Sequence, residues 1–305
     1  MSDVILSEAT AKPLRSRRTP ISMIEVLRLR KRFAFASLRM TVLLAFPVAL
    51  QAQWTVQPHG WFLSVTASKG TIPDRFDPGA GAIANGLDKV DGGLYFIYGL
   101  VDGLSIGMGQ GFTHLEDNHN GTTVTTTGFG ATGVFVMKRI AQGKLGVLSI
   151  QPRVDLPLLY NVDDRPVLGP IKAEAEVRLL YGTGYGIGSR RGWISASIGG
   201  SPWRHGNDEI RYDATIGLDA GRGWTLMAQT FNVAGLPDVG QTGIPYSATK
   251  VGASAVYHVN AQLGIVGGYY AGIAGKNTAR ERSFSVGIWL THQPPHPTTP
   301  PPPNH

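Results

Sequence analysis

The residues best suited to chemistry in this chain are charged side chains spaced two apart. Arg153 and Asp155 form one run, Glu174, Glu176 and Arg178 a second, and Glu209, Arg211 and Asp213 a third. In each, apolar residues stand between the charges. Residues two apart project from one face of a β-strand, so such a run has a charged side and an oily side. Centring the 159–171 connection places Arg153 opposite Glu176 and Gln151 opposite Arg178. The intervening Ser195, Ser197, Gly199 and Ser201 are small. Two strand spacings are about 10 Å, so long side chains from either side can meet over them. The spacing therefore predicts that Arg178 reaches Asp213 and that Arg211 reaches Glu176. Gln151, Asp155 and Gln229 share the polar face. The set has two uses: a wall that selects a polar or ionic solute, or an ion-pair plug that fills an interior. Opposite signs alternate here, which favours the plug, because a selective filter more often carries one dominant sign.

Other chemistries are poorly served. The chain has no cysteine, which excludes thiol catalysis, zinc ribbons and disulfide scaffolds. Gly107, Gly109 and Gly111, and later Gly182, Gly184, Gly186 and Gly188, recur with the strand period, and no helix follows them as a nucleotide loop requires. They read as relief of crowding or as points of bending. No Gly-X-Ser-X-Gly elbow occurs. His114 is the one histidine placed for a lipid-cleaving site on an outer surface, and no serine stands beside it by register. Glu116, Asp117, His119, Asp163 and Asp164 lie in connections that could draw a divalent cation, but solvated loop tips explain them. No cofactor and no metal is expected.

The elements that must hold these residues are strands. Leu104, Ile106, Met108 and Phe112 alternate with Ser105, Gly107, Gly109, Gly111 and Thr113; Ile210, Tyr212, Ala214, Ile216 and Leu218 alternate with Glu209, Arg211, Asp213, Thr215 and Gly217. Period two of this kind marks a half-buried strand. Twelve strands are expected, near 59–69, 90–100, 102–115, 124–138, 144–158, 172–183, 191–203, 208–220, 222–235, 246–258, 260–274 and 280–292. Their length of 10–14 residues suits a tilted membrane crossing of about 9–11 better than a globular sandwich. Tight connections at 100–102, 139–143, 220–222 and 258–260 alternate with longer ones at 70–89, 116–123, 159–171 and 236–245, the pattern of an outer-membrane barrel. Trp54, Trp61, Tyr95, Tyr98, Tyr181, Trp224, Tyr257 and Trp289 fall near strand ends, as interface girdles do.

Residues 1–52 read as a signal peptide. Arg28-Leu29-Arg30-Lys31-Arg32 and Arg39 precede an apolar run from Met40 to Leu50, too short to span a bilayer. This leader holds nine basic and three acidic residues, or +6 of the net +7, so the 53–292 body is close to neutral. A nucleic-acid partner is not expected. The tail 293–305 is proline-rich and reads as a polyproline-II extension. The fold class expected is all-β: a transmembrane, antiparallel, up-and-down β-barrel after an N-terminal signal peptide.

Several phrases add to this: Gln57-Pro58-X-Gly60; Tyr98-Gly99-Leu100-X-Asp102; Leu148-Ser149-X-Gln151; Ala175-Glu176-X-Arg178-Leu179-Leu180-Tyr181-Gly182; and Asp208-Glu209-X-Arg211-X-Asp213. Together they resemble a group of proteobacterial outer-membrane barrels of unassigned role, distantly similar to the meta-pathway phenol-degradation type. The resemblance implies a non-enzymatic passage for small molecules in the Gram-negative outer membrane. Partners would be outer-membrane lipid and lipopolysaccharide, the barrel-assembly machinery and a small-molecule solute. The chain departs from the pattern at Ile97, where the group often has an acid, and in its proline tail after Trp289. Two alternatives are a non-conducting barrel that anchors an envelope assembly and a lipid enzyme at His114.

Overall fold

The structure, a computed structural model, describes residues 55–76, 87–119, 122–162, 168–202, 208–236 and 245–294. The leader 1–52, Trp54, Asp163, Asp164 and the tail from 295 lie outside these residues.

Alternation of large apolar with small or charged residues produces twelve strands: β1 (Trp61–Arg75), β2 (Leu87–Val101), β3 (Leu104–His119), β4 (Thr122–Gly143), β5 (Gly146–Leu156), β6 (Glu174–Ile187), β7 (Arg190–Ser201), β8 (Glu209–Gly221), β9 (Trp224–Gly235), β10 (Tyr246–His258), β11 (Leu263–Lys276) and β12 (Ala279–His292). Each pairs antiparallel with its sequence neighbour, and β1 pairs with β12 from Trp61↔His292 to Arg75↔Ala279, so the sheet closes. Closure leaves no edge strand with unpaired N–H and C=O groups, the condition a sheet must meet in hydrocarbon.

The start of β1, the end of β12 and the short turns at 102–103, 144–145, 188–189, 222–223 and 259–262 lie at one end of the barrel, called here the terminal end. Arg222 and Gly223 both take positive φ, 54° and 80°, the turn whose twist matches a two-residue hairpin. Longer connections at 157–173, 202–208 and 236–245 lie at the other, or loop, end.

Several boundaries differ from expectation; the expected tight connection 139–143 is strand, since β4 pairs with β5 out to Gly143↔Gly146 and the turn falls at 144–145. The expected loop 116–123 is mostly strand: β3 and β4 pair out to His119↔Thr122, because the threonine run from Thr122 to Thr127 favours extended backbone. The expected loop 70–89 is shorter, since β1 runs on through Pro73 to Arg75. The β1–β12 register shifts between Thr71 and Asp74 there, where a proline without an N–H is tolerated. At the terminal end, β11 starts at Leu263 rather than 260.

The outward face is apolar. Ile106, Met108, Val134, Val154, Leu179, Ile194, Ile198, Ile216, Leu226, Ile265 and Val286 are all exposed. A charged residue there costs about 2–4 kcal/mol at the bilayer midplane, so the charged positions belong inside. Tyr181, Trp224 and Tyr257 stand outward near the terminal end, with the Trp224 and Tyr257 rings 5.0 Å apart. Tyr95 and Trp289, expected in the same girdle, are instead buried at 6% and 4% exposure. Parity decides this: each lies on the inward face of its strand, Tyr95 with Asp91 and Trp289 with Glu281.

Candidate functional site

The barrel interior divides into two halves. At the terminal end it is filled with hydrocarbon. Phe62, Tyr95, Ile97, Phe135, Met137, Trp193, Met227, Val256, Val266 and Trp289 point inward from eight strands and form one buried cluster with Val56. Phe62 meets Trp289 edge-on at 5.7 Å, and Tyr95 stacks on Phe135 at 5.3 Å. Small residues opposite make room for the rings. Trp193 lies across Gly217, its register partner on β8, where a Cβ would overlap the indole. The interior is therefore not polar throughout: it has an apolar floor.

Above the floor the walls carry charge. The register places Arg153 opposite Glu176 and Gln151 opposite Arg178. Arg178 Nε donates to Glu176 Oε1 at 2.6 Å and Arg178 Nη1 to Asp213 Oδ2 at 3.2 Å. Arg211 Nη1 donates to Glu176 Oε2 at 3.4 Å and Arg211 Nη2 to Glu209 Oε2 at 2.5 Å. These bonds join β6 to β8 across β7, where Ser195, Ser197 and Gly199 stay low; a Cβ on Gly199 would lie 2.5 Å from Arg178 Cγ. Arg153 is held differently. Its Nε and Nη2 both donate to Asp155 Oδ1, at 2.9 and 2.7 Å, so it pairs along its own strand rather than with Glu176. Glu174 is buried on the same face, opposite Asp155, and Tyr246 donates its hydroxyl to Glu209. Gln151 is buried beside this wall. Gln229 belongs to another group, accepting from Ser254 Oγ and Tyr270 Oη, each at 2.9 Å.

A second charged wall, not foreseen from the sequence, lies on the opposite side. Lys89 Nζ stands 3.4 Å from Asp91 Oδ2 and 3.1 Å from Glu281 Oε1, and Lys250 Nζ donates to Glu281 Oε2 at 2.5 Å. Thr113 donates to Asp91 at 2.9 Å. The construction is the same: Gly70 on β1 lets Lys89 and Glu281 meet across it, since a Cβ there would lie 3.2 Å from Glu281 Oε1. The two walls differ in contact with water. The side chains of Lys89, Asp91, Lys250 and Glu281 are at most 4% exposed, whereas Asp155 and Asp213 reach 22% and 23%. The accessible wall thus shows both signs, with Asp155 and Asp213 more exposed than Arg153, Arg178 and Arg211 at 11–14%. Among the described residues, the two walls carry seven acids (Asp91, Asp155, Glu174, Glu176, Glu209, Asp213, Glu281) and five bases (Lys89, Arg153, Arg178, Arg211, Lys250), a difference of −2.

On the outer face, His114 Nδ1 lies 2.5 Å from Thr127 Oγ1, and its Nε2 lies 3.2 Å from Glu116 Oε1. The hydroxyl beside it is a threonine's. Among the described residues no group of three or more His, Cys, Asp or Glu is arranged to hold a metal.

A closed twelve-stranded antiparallel barrel with an apolar outside and ion-paired inner walls is a transmembrane β-barrel of the outer-membrane type. Among solved structures, the fold resembles an outer membrane channel from Pseudomonas putida F1, with a TM-score of 0.64 at 13% identity, over 79% of this chain and 98% of that one. Lower similarity is found to the NanC porin (TM-score 0.49, 12% identity, 75% of this chain and 98% of that one). The translocator domain of autotransporter NalP from Neisseria meningitidis matches at TM-score 0.48 and 12% identity, over 82% and 93% of the two chains. No family model and no curated protein matches the chain.

Proposed function

We propose that this chain is an outer-membrane channel for small solutes, with a charged chamber open toward the loop end and an apolar floor at the terminal end. The observation that carries this reading is the water contact of Asp155 and Asp213, in a wall whose arginines are also 11–14% exposed. A plug designed only to fill space would hide those carboxylates as completely as the opposite wall hides Asp91 and Glu281. The leader delivers the chain across the inner membrane, the barrel-assembly machinery inserts it, and lipopolysaccharide surrounds the loop end. The terminal end then faces the periplasm.

Among the described residues the walls carry two more acids than bases, and the greater exposure of Asp155 and Asp213 gives a mild preference for cations, because the charge a pore shows to water sets which ions enter. Purified, refolded protein in a planar bilayer under a KCl gradient is expected to show a reversal potential of the sign given by K⁺ permeating faster than Cl⁻. Asp155→Asn with Asp213→Asn should move that potential toward zero. The apolar floor favours a second reading, a non-conducting barrel that anchors an envelope assembly, and the absence of current under every condition would establish it. A lipid enzyme at His114 is disfavoured. Thr127 would have to act as nucleophile, while the ladders with β2 and β4 engage the strand N–H groups around His114 that an oxyanion hole would need.

A further inference from the structure

Eleven buried residues make the apolar floor, and ten of them are fixed to strands of a closed ladder. Shifting the backbone of any of the ten requires breaking strand pairing. Val56 is the exception: it belongs to the segment 55–60 that precedes β1. This segment turns back across the terminal end and rests on the last residues of β2. Val56 N donates to the Oγ of the fully buried Ser105 at 3.0 Å. His59 N donates to Gly99 O at 2.8 Å, and Gly99 N to Gly60 O at 2.9 Å. The turn closes on itself through Gly60 N to Gln57 O at 2.9 Å, with His59 held at a φ of 63°. A left-handed residue other than glycine persists only where its surroundings hold it. The His59 ring is pinned from outside, its Nδ1 3.1 Å from Tyr98 Oη.

Gly99 makes this contact possible. A Cβ there would overlap Gln57 O and come within 2.6 Å of Val56 O. The two sequence phrases Gln57-Pro58-X-Gly60 and Tyr98-Gly99 are therefore the two halves of one junction. Its bonds lie at the barrel's end and outside the strand ladders, the kind of structure that opens locally without global unfolding.

We propose that segment 55–60 is a strap that closes the terminal end of the barrel, and that its release from Gly99 and Ser105 opens the apolar floor. The inference rests on the channel reading for its purpose, though not for its test. Opening is a movement of Val56 out of the floor, and the strands stay paired throughout.

The chain lacks cysteine, so single-cysteine labelling is clean. The full protein, refolded in detergent, would carry either Val56→Cys, which reports release of the strap, or Ser64→Cys, which reports access to a fully buried interior position. A methanethiosulfonate reagent is the probe. Both cysteines should react slowly in the parent, and adding Gly99→Ala should speed both at least ten-fold. Ser105→Ala, which only removes the acceptor for Val56 N, should give a smaller change in the same direction and serves if the Gly99 variant does not fold. Rapid labelling of Val56→Cys in the parent would overturn the strap, and so would continued protection in both variants. Release of Val56 with Ser64→Cys still protected would overturn its role as the closure. If Ser64→Cys opens but neither protein carries current, the channel reading fails and the strap stands.

Discussion

Glu176 is the keystone of the water-facing wall, and its removal gives the most direct measure of that wall. Its carboxylate accepts from Arg178 at 2.6 Å and from Arg211 at 3.4 Å, and its side chain is 3% exposed. Breaking a buried pair by deleting one partner costs about 3–5 kcal/mol, because the remaining charge is stranded. Neither arginine is wholly stranded by Glu176→Ala: Arg178 keeps Asp213 at 3.2 Å, and Arg211 keeps Glu209 at 2.5 Å. The longer Arg211 contact also contributes less. The expectation is therefore the lower end, about 3 kcal/mol, roughly a hundred-fold in the folding equilibrium. Urea unfolding of protein refolded into lipid vesicles, with the folded fraction read from gel mobility of unheated samples, measures it. Glu176→Gln keeps the shape and one hydrogen bond and should cost less. A double-mutant cycle with Arg211→Ala should show coupling of about 1 kcal/mol, since the two groups share a network. A loss under about 0.5 kcal/mol for Glu176→Ala would refute the reasoning. The network would then be worth what a surface pair is worth, and the chamber would be wide and wet at that level.

Two further variants test the assignment of faces and the floor. Ile216→Arg puts a cation on the outward face at mid-strand and should cost about 2–4 kcal/mol in vesicles, measured by the same urea titration; a neutral result would mean that this face does not meet lipid. Gly217→Ala places a methyl where the Trp193 indole lies and should cost about 1–3 kcal/mol, with Trp193→Leu relieving much of it in the double variant; an additive pair would show that the ring is free to move aside.

Much of this architecture was legible in the residues because a membrane barrel leaves a simple signature. Each strand has one lipid side and one inner side, so the period-two pattern survives over ten or more residues. The Arg178–Asp213 and Arg211–Glu176 bonds followed from register plus the small side chains of β7. The opposite wall was hidden for a physical reason. Lys89 and Asp91 have the same two-residue spacing, but Lys89 fell in an expected loop, Lys250 is the one Lys, Arg, Asp or Glu on a strand rich in Ala, Gly and Ser, and Glu281 is flanked by Arg280 and Arg282 on the other face. Only closure of the sheet between β1 and β12 brings them together, a contact between residues far apart in sequence. The apolar floor was masked similarly. Tyr95, Trp193 and Trp289 sit near strand ends, where a girdle and a floor call for the same residue types, and parity alone separates them.

The placing of salt links within single strands bears on how the barrel is made. Arg153 with Asp155, Glu176 with Arg178, Glu209 with Arg211 and Lys89 with Asp91 are each neighbours two positions apart, so they can neutralise one another in an isolated hairpin. A hairpin carrying one of these four links thus brings those charges already matched, and the bonds across β7 and β1 form only when the flanking strands are in place. Lys250 and Glu281, which lack such a neighbour, find each other only once β10, β11 and β12 stand side by side.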